Sequence, residues 1–115
     1  MRKKAAAKQR KKSVRPEKRV DETSHLTGKR RGATVRAEVW YSGGVVVKYN
    51  LAYINPRICG VDHGRVLGYD NSHGSHHRHF MGKIEKIEFA GYEMLVDRFE
   101  AEVHALWRSE DEQES

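Results

Sequence analysis

The sequence predicts a small α+β domain in which an antiparallel sheet of three to four strands packs against one C-terminal amphipathic helix. Two observations support this fold class. Apolar residues recur at every second position between residues 33 and 54, as on a half-buried strand. They recur at steps of three and four between residues 92 and 107, as on a helix. One apolar sheet face and one apolar helix stripe can bury each other in two layers.

The predicted domain spans residues 33–108 and follows a disordered basic tail and linker, residues 1–32. Residues 1–31 hold 13 Lys and Arg against 3 Asp and Glu, whereas the rest of the chain holds 9 against 13. The high pI therefore describes the tail and not the domain. Residues 2–19 contain almost no large apolar side chains, so ordering them would cost backbone entropy with little burial in return.

Two strands joined by a tight turn are the clearest elements. Residues 33–41 and 45–54 both alternate apolar and polar side chains, and Ser42-Gly43-Gly44 between them is typical of a hairpin turn. A third, short strand is predicted at residues 65–69. Residues 84–89 are a candidate fourth strand, although Ile84 and Ile87 are out of phase for a two-residue period.

A helix is predicted after Gly91, because the apolar residues that follow share one face. Its apolar stripe consists of Tyr92, Leu95, Val96, Phe99, Val103, Leu106 and Trp107. Residues 109–115 are acidic and are predicted to fray, because negative charge at a helix C-terminus opposes the helix dipole.

Cys59 is the only cysteine, which excludes an intramolecular disulfide and a cysteine-based zinc site. Its surroundings in the sequence favour a role as a small, semi-buried apolar residue. There is no apolar run of signal-peptide type and no stretch of roughly 18 apolar residues. The expected location is therefore the cytoplasm, with no membrane contact.

Residues 70–79 carry four histidines, an aspartate and an arginine in ten positions, and they are the strongest indication of function. His77 and His79 are two residues apart, so on an extended segment their imidazoles share one face. Such a pair can divide general base and general acid roles, as RNA cleavage by the 2′-hydroxyl requires. Asp70 could orient one imidazole, and the cationic groups nearby that could stabilise phosphoryl charge are Arg65, Arg78 and Lys83.

Two other interpretations of the histidine segment remain open. His-x-His on a strand can grip a metal such as zinc, with His76, His73 or Asp70 completing the site, which gives His76, His77 and His79 as an alternative ligand set. The segment can also be a solvated polar loop without chemistry. The sequence favours no cofactor and leaves a divalent metal as the alternative.

Four aromatic residues on the predicted hairpin, Trp40, Tyr41, Tyr49 and Tyr53, allow two roles. They could stack RNA bases on a sheet, but aromatic residues in strands more often fill the core, which is the favoured interpretation.

Three motifs in order resemble the TumE family, small prokaryotic toxins of type II toxin–antitoxin pairs. They are the strand at residues 47–53, which includes Lys48 and Tyr49, the segment Arg65–Asn71 ending in Gly-Tyr-Asp-Asn, and His77-Arg78-His79. The resemblance covers about residues 34–107. Relatives usually have an apolar strand before the hairpin, whereas residues 21–31 are polar and basic here, so the comparison predicts that this edge strand is lacking.

The resemblance implies a toxin held inactive by a cognate antitoxin, expected to be a DNA-binding helix-turn-helix protein. It adds Tyr69, Asn71 and Lys48 to the candidate substrate-binding residues. The leading hypothesis is a nuclease acting on RNA through His77 and His79, with Asp70 orienting and Arg78 contacting phosphate. For the basic tail, the sequence leaves open contact with nucleic acid, docking to an acidic antitoxin, or solubility alone. The alternatives are a metal-dependent nuclease and a non-catalytic binding module.

Overall fold

Six antiparallel strands form one sheet in which every strand lies beside its neighbour in sequence. The computed structural model of the chain describes residues 15–114. The strands are β1 (Glu17–His25), β2 (Thr34–Ser42), β3 (Val45–Ile54), β4 (Arg65–Asp70), β5 (His77–Phe80) and β6 (Lys83–Lys86), and the helix is α1 (Tyr92–Glu114).

The two faces of the sheet differ in character, because side chains alternate along each strand. One face packs on α1 and buries the core, which includes Tyr49, Tyr53 and Tyr69 of the sheet with Phe99 and Val103 of the helix. Tyr69 and Phe99 meet edge to face, as do Tyr53 and Trp107. The predicted apolar stripe of the helix is confirmed, since all seven of its residues belong to this cluster or pack against it.

The other face carries polar residues in rows that cross the strands. One row runs through paired positions on all six strands and consists of Asp21, Glu38, Asn50, Asp70, His77 and Lys86. The next row brings His79 beside Gly68 of β4 and Ile84 of β6. We call this surface the open face.

The predicted α+β class and the hairpin are confirmed, but the strand count of three to four is wrong. Strand β5 is only four residues long and consists of His, Arg and Phe, so it has no apolar alternation to identify it. Strand β1 lies in the segment predicted to be linker and supplies the edge strand that the resemblance predicted to be absent. Most of its residues are exposed, and pairing with β2 rather than apolar burial holds it in place.

Cross-strand ion pairs accompany the backbone ladder of β1. Lys18 contacts Glu38 at 2.6 Å, and Arg36 contacts Asp21 at 3.1 Å. The prediction of disorder over residues 1–32 is therefore wrong for Glu17–His25. The first fourteen residues lie outside the described part of the chain.

The predicted frayed end at residues 109–115 is also wrong as far as the structure describes it, because α1 continues to Glu114. Basic residues in a short turn at Gly28–Arg30 compensate the negative charge of the acidic residues at the end of α1. Arg30 donates to the Trp107 carbonyl oxygen at 2.8 Å and to Asp111 at 2.8 Å, and Lys29 lies 3.1 Å from Asp111.

Candidate active site

A depression of about 660 Å³ lies on the open face, between strand β2 and strand β6. Five of the residues predicted for the site line it: Lys48, Arg65, Asp70, His77 and His79. Further lining residues are Glu38, Trp40, Asn50, Asp62, His63, Ser72 and Ile84. The structure thus joins the histidine pair to residues from four other strands and from the loop before β4.

His79 is buried and forms contacts through both ring nitrogens. Its Nε2 lies 2.9 Å from Asp70 Oδ2. Its Nδ1 lies 3.0 Å from Arg65 Nη2 and 3.3 Å from Asp62 Oδ2. Because a guanidinium only donates, Nδ1 accepts from Arg65 in the neutral ring and Nε2 donates to Asp70. A protonated ring could donate to both aspartates, so the site offers partners to either charge state.

Arg65 forms the centre of this network. Its Nε and Nη2 donate to the two oxygens of Asp62, both at 2.9 Å, and its Nη1 donates to Asp70 at 3.2 Å. Hydrogen bonds from Arg65 lower the pKa of Asp62 below its usual value. Arg65 therefore holds His79 and Asp70 in position. Because two carboxylates already neutralise its guanidinium, Arg65 is poorly suited to bind a further anion.

The local backbone explains how Arg65 reaches across the sheet. Gly68 lies between Arg65 and His79 on the open face, and a Cβ at Gly68 would overlap Arg65 Cδ. The loop before β4 holds Asp62 and His63 at φ values of 50° and 56°, a conformation uncommon for residues other than glycine. This turn directs the Asp62 carboxylate toward Arg65.

His77 has a different environment from His79. It pairs with Asp70 in register on one side and with Lys86 on the other. Its side chain is half-buried in the depression and makes no hydrogen bond to another residue that the structure describes. The imidazole of His77 can therefore contact a substrate directly.

Arg78 and Tyr69 do not lie with the histidines, because their side chains project from the helix-facing side of the sheet. The Arg78 guanidinium donates to Glu102 of α1 at 2.5 Å and to the Tyr69 hydroxyl at 3.1 Å. The Tyr69 hydroxyl also donates to Glu102. Burial, together with the Glu102 carboxylate, raises the pKa of Tyr69 to about 12. These two residues join sheet to helix.

Two more of the candidate substrate-binding residues lie away from the depression. The Asn71 side chain accepts from the Tyr49 backbone N–H at 3.0 Å and donates to the Val47 carbonyl at 2.9 Å, so it extends the strand pairing of β3. Lys83 is exposed and pairs in register with Phe80, on the face opposite to His77 and His79.

His76 lies in an aromatic cluster and not with His77 and His79. Its ring stacks on Phe89 with a centroid separation of 4.1 Å, and the Tyr49 hydroxyl lies 2.7 Å from its Nδ1. Burial, with a smaller effect of His77, lowers the pKa of His76. The predicted ligand set of His76, His77 and His79 is therefore not brought together. In residues 15–114, no group of three His, Cys, Asp or Glu residues has the arrangement of a metal site, and the side chain of His73 lies outside the described part.

Asp62, His63 and Glu38 are among the lining residues that the sequence does not identify as part of the site. Asp62 and His63 lie in an irregular connection with no motif, and only the turn before β4 brings them to the site. The alternation over residues 33–41 places Glu38 on the polar side of β2, and this periodicity is the signal that the sequence offers for it. Although burial acts to raise it, hydrogen bonds from Lys18, Arg36 and Asn50 lower the pKa of Glu38 to about 2.

Together these residues form a polar site with one enclosed histidine, one accessible histidine and an oriented carboxylate. Such an arrangement has the groups that general acid and base chemistry requires. Lys48 and Lys86 form no ion pair with another described residue and can supply positive charge near His77.

A family model described as toxin TumE matches residues 7–107 of this chain. No curated protein and no solved structure gave a significant match. The described part of the chain contains no helix with the length and apolarity that a membrane span requires.

Proposed function

Because this chain belongs to the TumE toxin family, which implies a partner antitoxin, we propose that the open face is the active site of a ribonuclease toxin. One observation carries the proposal. An accessible His77 and a His79 that Asp70 holds in position lie on the same face of β5. Cleavage by attack of a 2′-hydroxyl on the adjacent phosphate needs one group to take a proton and another to give one.

We assign the general base role to His77, because a base must present an unoccupied nitrogen to the 2′-hydroxyl. His79 is assigned the general acid role, with Asp70 orienting its ring through the 2.9 Å contact at Nε2. The leaving oxygen would replace one of the present partners of His79, since catalytic hydrogen bonds often rearrange when substrate binds. Arg65 is a positioning residue in this scheme.

Lys48, and not Arg78, is the proposed phosphate contact. Lys48 lines the depression and forms no ion pair with another described residue, whereas Arg78 is paired with Glu102 on the helix side. An acidic domain can attract RNA if such local cations lie at the site. The basic tail remains a proposed second contact to nucleic acid, and the proposed antitoxin is a DNA-binding helix-turn-helix protein.

Controlled expression with and without the antitoxin gene tests the proposal. We expect His77→Ala and His79→Ala to abolish growth inhibition, because loss of a general acid or base lowers the rate by about 10²–10⁴-fold. Lys83→Ala is the matched control, since Lys83 is exposed on the other face, and it should remain toxic. If both histidine variants are folded and fully toxic, His77 and His79 do not carry out the toxic reaction and the proposal is wrong.

A chelator separates this proposal from a metal-dependent nuclease. A histidine acid–base pair should keep its rate in EDTA and give a bell-shaped dependence of rate on pH, whereas a metal enzyme should lose activity in EDTA.

Deleting residues 1–14 tests the tail without removing β1. The cleavage rate at high RNA concentration should be unchanged, and RNA binding should weaken most at low salt.

A further inference from the structure

Trp40 lies on the open face, away from the core that buries Tyr49 and Tyr53 of the same hairpin. It pairs in register with Lys18 of β1 and Lys48 of β3, and it lines the same depression as His77 and His79. By contrast, Tyr49 and Tyr53 are buried against the helix. The Trp40 indole can therefore contact a molecule bound in the depression, whereas the buried rings of Tyr49 and Tyr53 cannot.

Two lysines flank the Trp40 ring, and they are held differently. The ammonium groups of Lys18 and Lys48 lie 5.1 Å and 4.6 Å from the ring centroid. Lys18 is fixed by Glu38 at 2.6 Å and by Asp21 at 3.2 Å. Lys48 has no ion-pair partner among the described residues, so its flexible side chain is free to leave the ring.

We propose that Trp40 and Lys48 form a binding platform for single-stranded RNA, in which a base stacks on the indole and Lys48 contacts the adjoining phosphate. Stacking of a base on an aromatic ring is stronger than contact of an exposed lysine with that ring, so a base can displace Lys48. The displaced ammonium group then gains a phosphate partner in place of the ring.

The placement of the platform fits a strand of RNA that continues to the histidines. Three strand spacings, roughly 14 Å, separate β2 from β5 across the sheet. Asn50 and Asp70 lie between them on the same row as His77. The inference deepens the proposed function by naming single-stranded RNA as the substrate class, and it rests on that function for the identity of the nucleic acid.

The test measures binding of the full chain to a labelled single-stranded RNA of about ten nucleotides, a length within the usual site sizes. All proteins carry His77→Ala so that the RNA stays intact. We expect Trp40→Ala to raise Kd about tenfold and Trp40→Phe to change it by less than about threefold, because Phe keeps a stacking surface. Circular dichroism establishes that each variant is folded.

Two further binding measurements test the roles of Lys48 and of base stacking separately. Lys48→Ala should reduce the slope of log K against log salt by about 0.7, the contribution of one single-strand phosphate contact, while Lys83→Ala on the other face should leave it unchanged. Duplex RNA of the same sequence should show no dependence on Trp40, because its bases are already stacked.

Equal affinity of folded Trp40→Ala and its parent for the single strand would overturn the platform. So would a Trp40→Ala variant that loses binding to the purified antitoxin but not to RNA, since the surface would then be a protein interface. Failure of the proposed function looks different: the wild-type chain would not cleave RNA, although binding to RNA still depended on Trp40.

Discussion

His79 and His77 lie two residues apart and differ in how freely they can act. Two carboxylates and a guanidinium enclose His79, which favours a fixed ring orientation, and His77 has an accessible ring. The sequence predicted the shared face of these histidines from spacing alone. It could not reveal Asp62, because a turn with positive φ values, and not a sequence motif, places that carboxylate beside Arg65.

Replacing Gly68 tests whether Arg65 positions the site. Gly68→Ala puts a Cβ where the Arg65 side chain crosses the sheet, so Arg65 must move away from Asp70 and His79. We expect the RNA cleavage rate to fall by about tenfold or more while the fold persists, because displacement of supporting groups disturbs catalytic geometry. Steady-state cleavage and circular dichroism measure the two quantities.

Gly60→Ala is the matched control, since Gly60 has no left-handed φ and a Cβ added there would meet no atom within 4 Å beyond its neighbours in the chain. It should cleave RNA at the wild-type rate. A Gly68→Ala variant as active as Gly60→Ala would mean that the position of Arg65 does not matter for the reaction.

At the scale of elements, apolar periodicity identified the hairpin, β4 and the helix, and it failed where other forces fix a strand. Strand β1 is held by pairing with β2 and by ion pairs such as Lys18 with Glu38, so neither of its faces is distinctly apolar. Strand β5 is too short to show a period. The prediction of a frayed helix end is wrong for a related reason. The acidic end of α1 forms ion pairs with Lys29 and Arg30, which are remote in sequence.

Arg30→Ala should destabilise the end of the helix. Arg30 is largely buried, stacks on Trp107 and donates to the Trp107 carbonyl and to Asp111. We expect the free energy of unfolding, measured by urea denaturation, to fall by about 1–3 kcal/mol. Lys29→Ala removes a more exposed ion pair and should cost less than about 1 kcal/mol. Equal losses in the two variants would contradict this assignment.

At the scale of the whole molecule, different interactions stabilise the two faces of the sheet. The helix-facing side holds the apolar core, and the open face holds two clusters of charged and polar residues, one across β1, β2 and β3 and one around Arg65 and His79. Glu38 of β2 is the centre of the first cluster, where it contacts Lys18, Arg36 and Asn50. The predicted two-layer fold follows from the apolar pattern, whereas these clusters depend on which polar residues the register brings together.

Stability should depend on pH through Glu38 in a defined range. Its pKa is about 2 in the folded protein against an ordinary value of 4.5, so its contribution is present above pH 4.5 and is lost as pH falls from 4.5 toward 2. Glu38→Gln should lower the free energy of unfolding at pH 7 by about 1–2 kcal/mol and flatten its decline below pH 4.5. Urea titrations at several pH values measure this, and parallel curves for the two proteins would exclude it.

The most direct test of the central claim is the chemistry of the cleaved RNA. The purified chain should cleave a single-stranded RNA in the presence of EDTA and leave a 2′,3′-cyclic phosphate and a 5′-hydroxyl, because the 2′-hydroxyl is the nucleophile. A substrate with deoxyribose at the cleaved position should not react. Cleavage of that deoxy substrate, or cleavage that requires a divalent metal, would contradict the assignment of His77 and His79 as an acid–base pair.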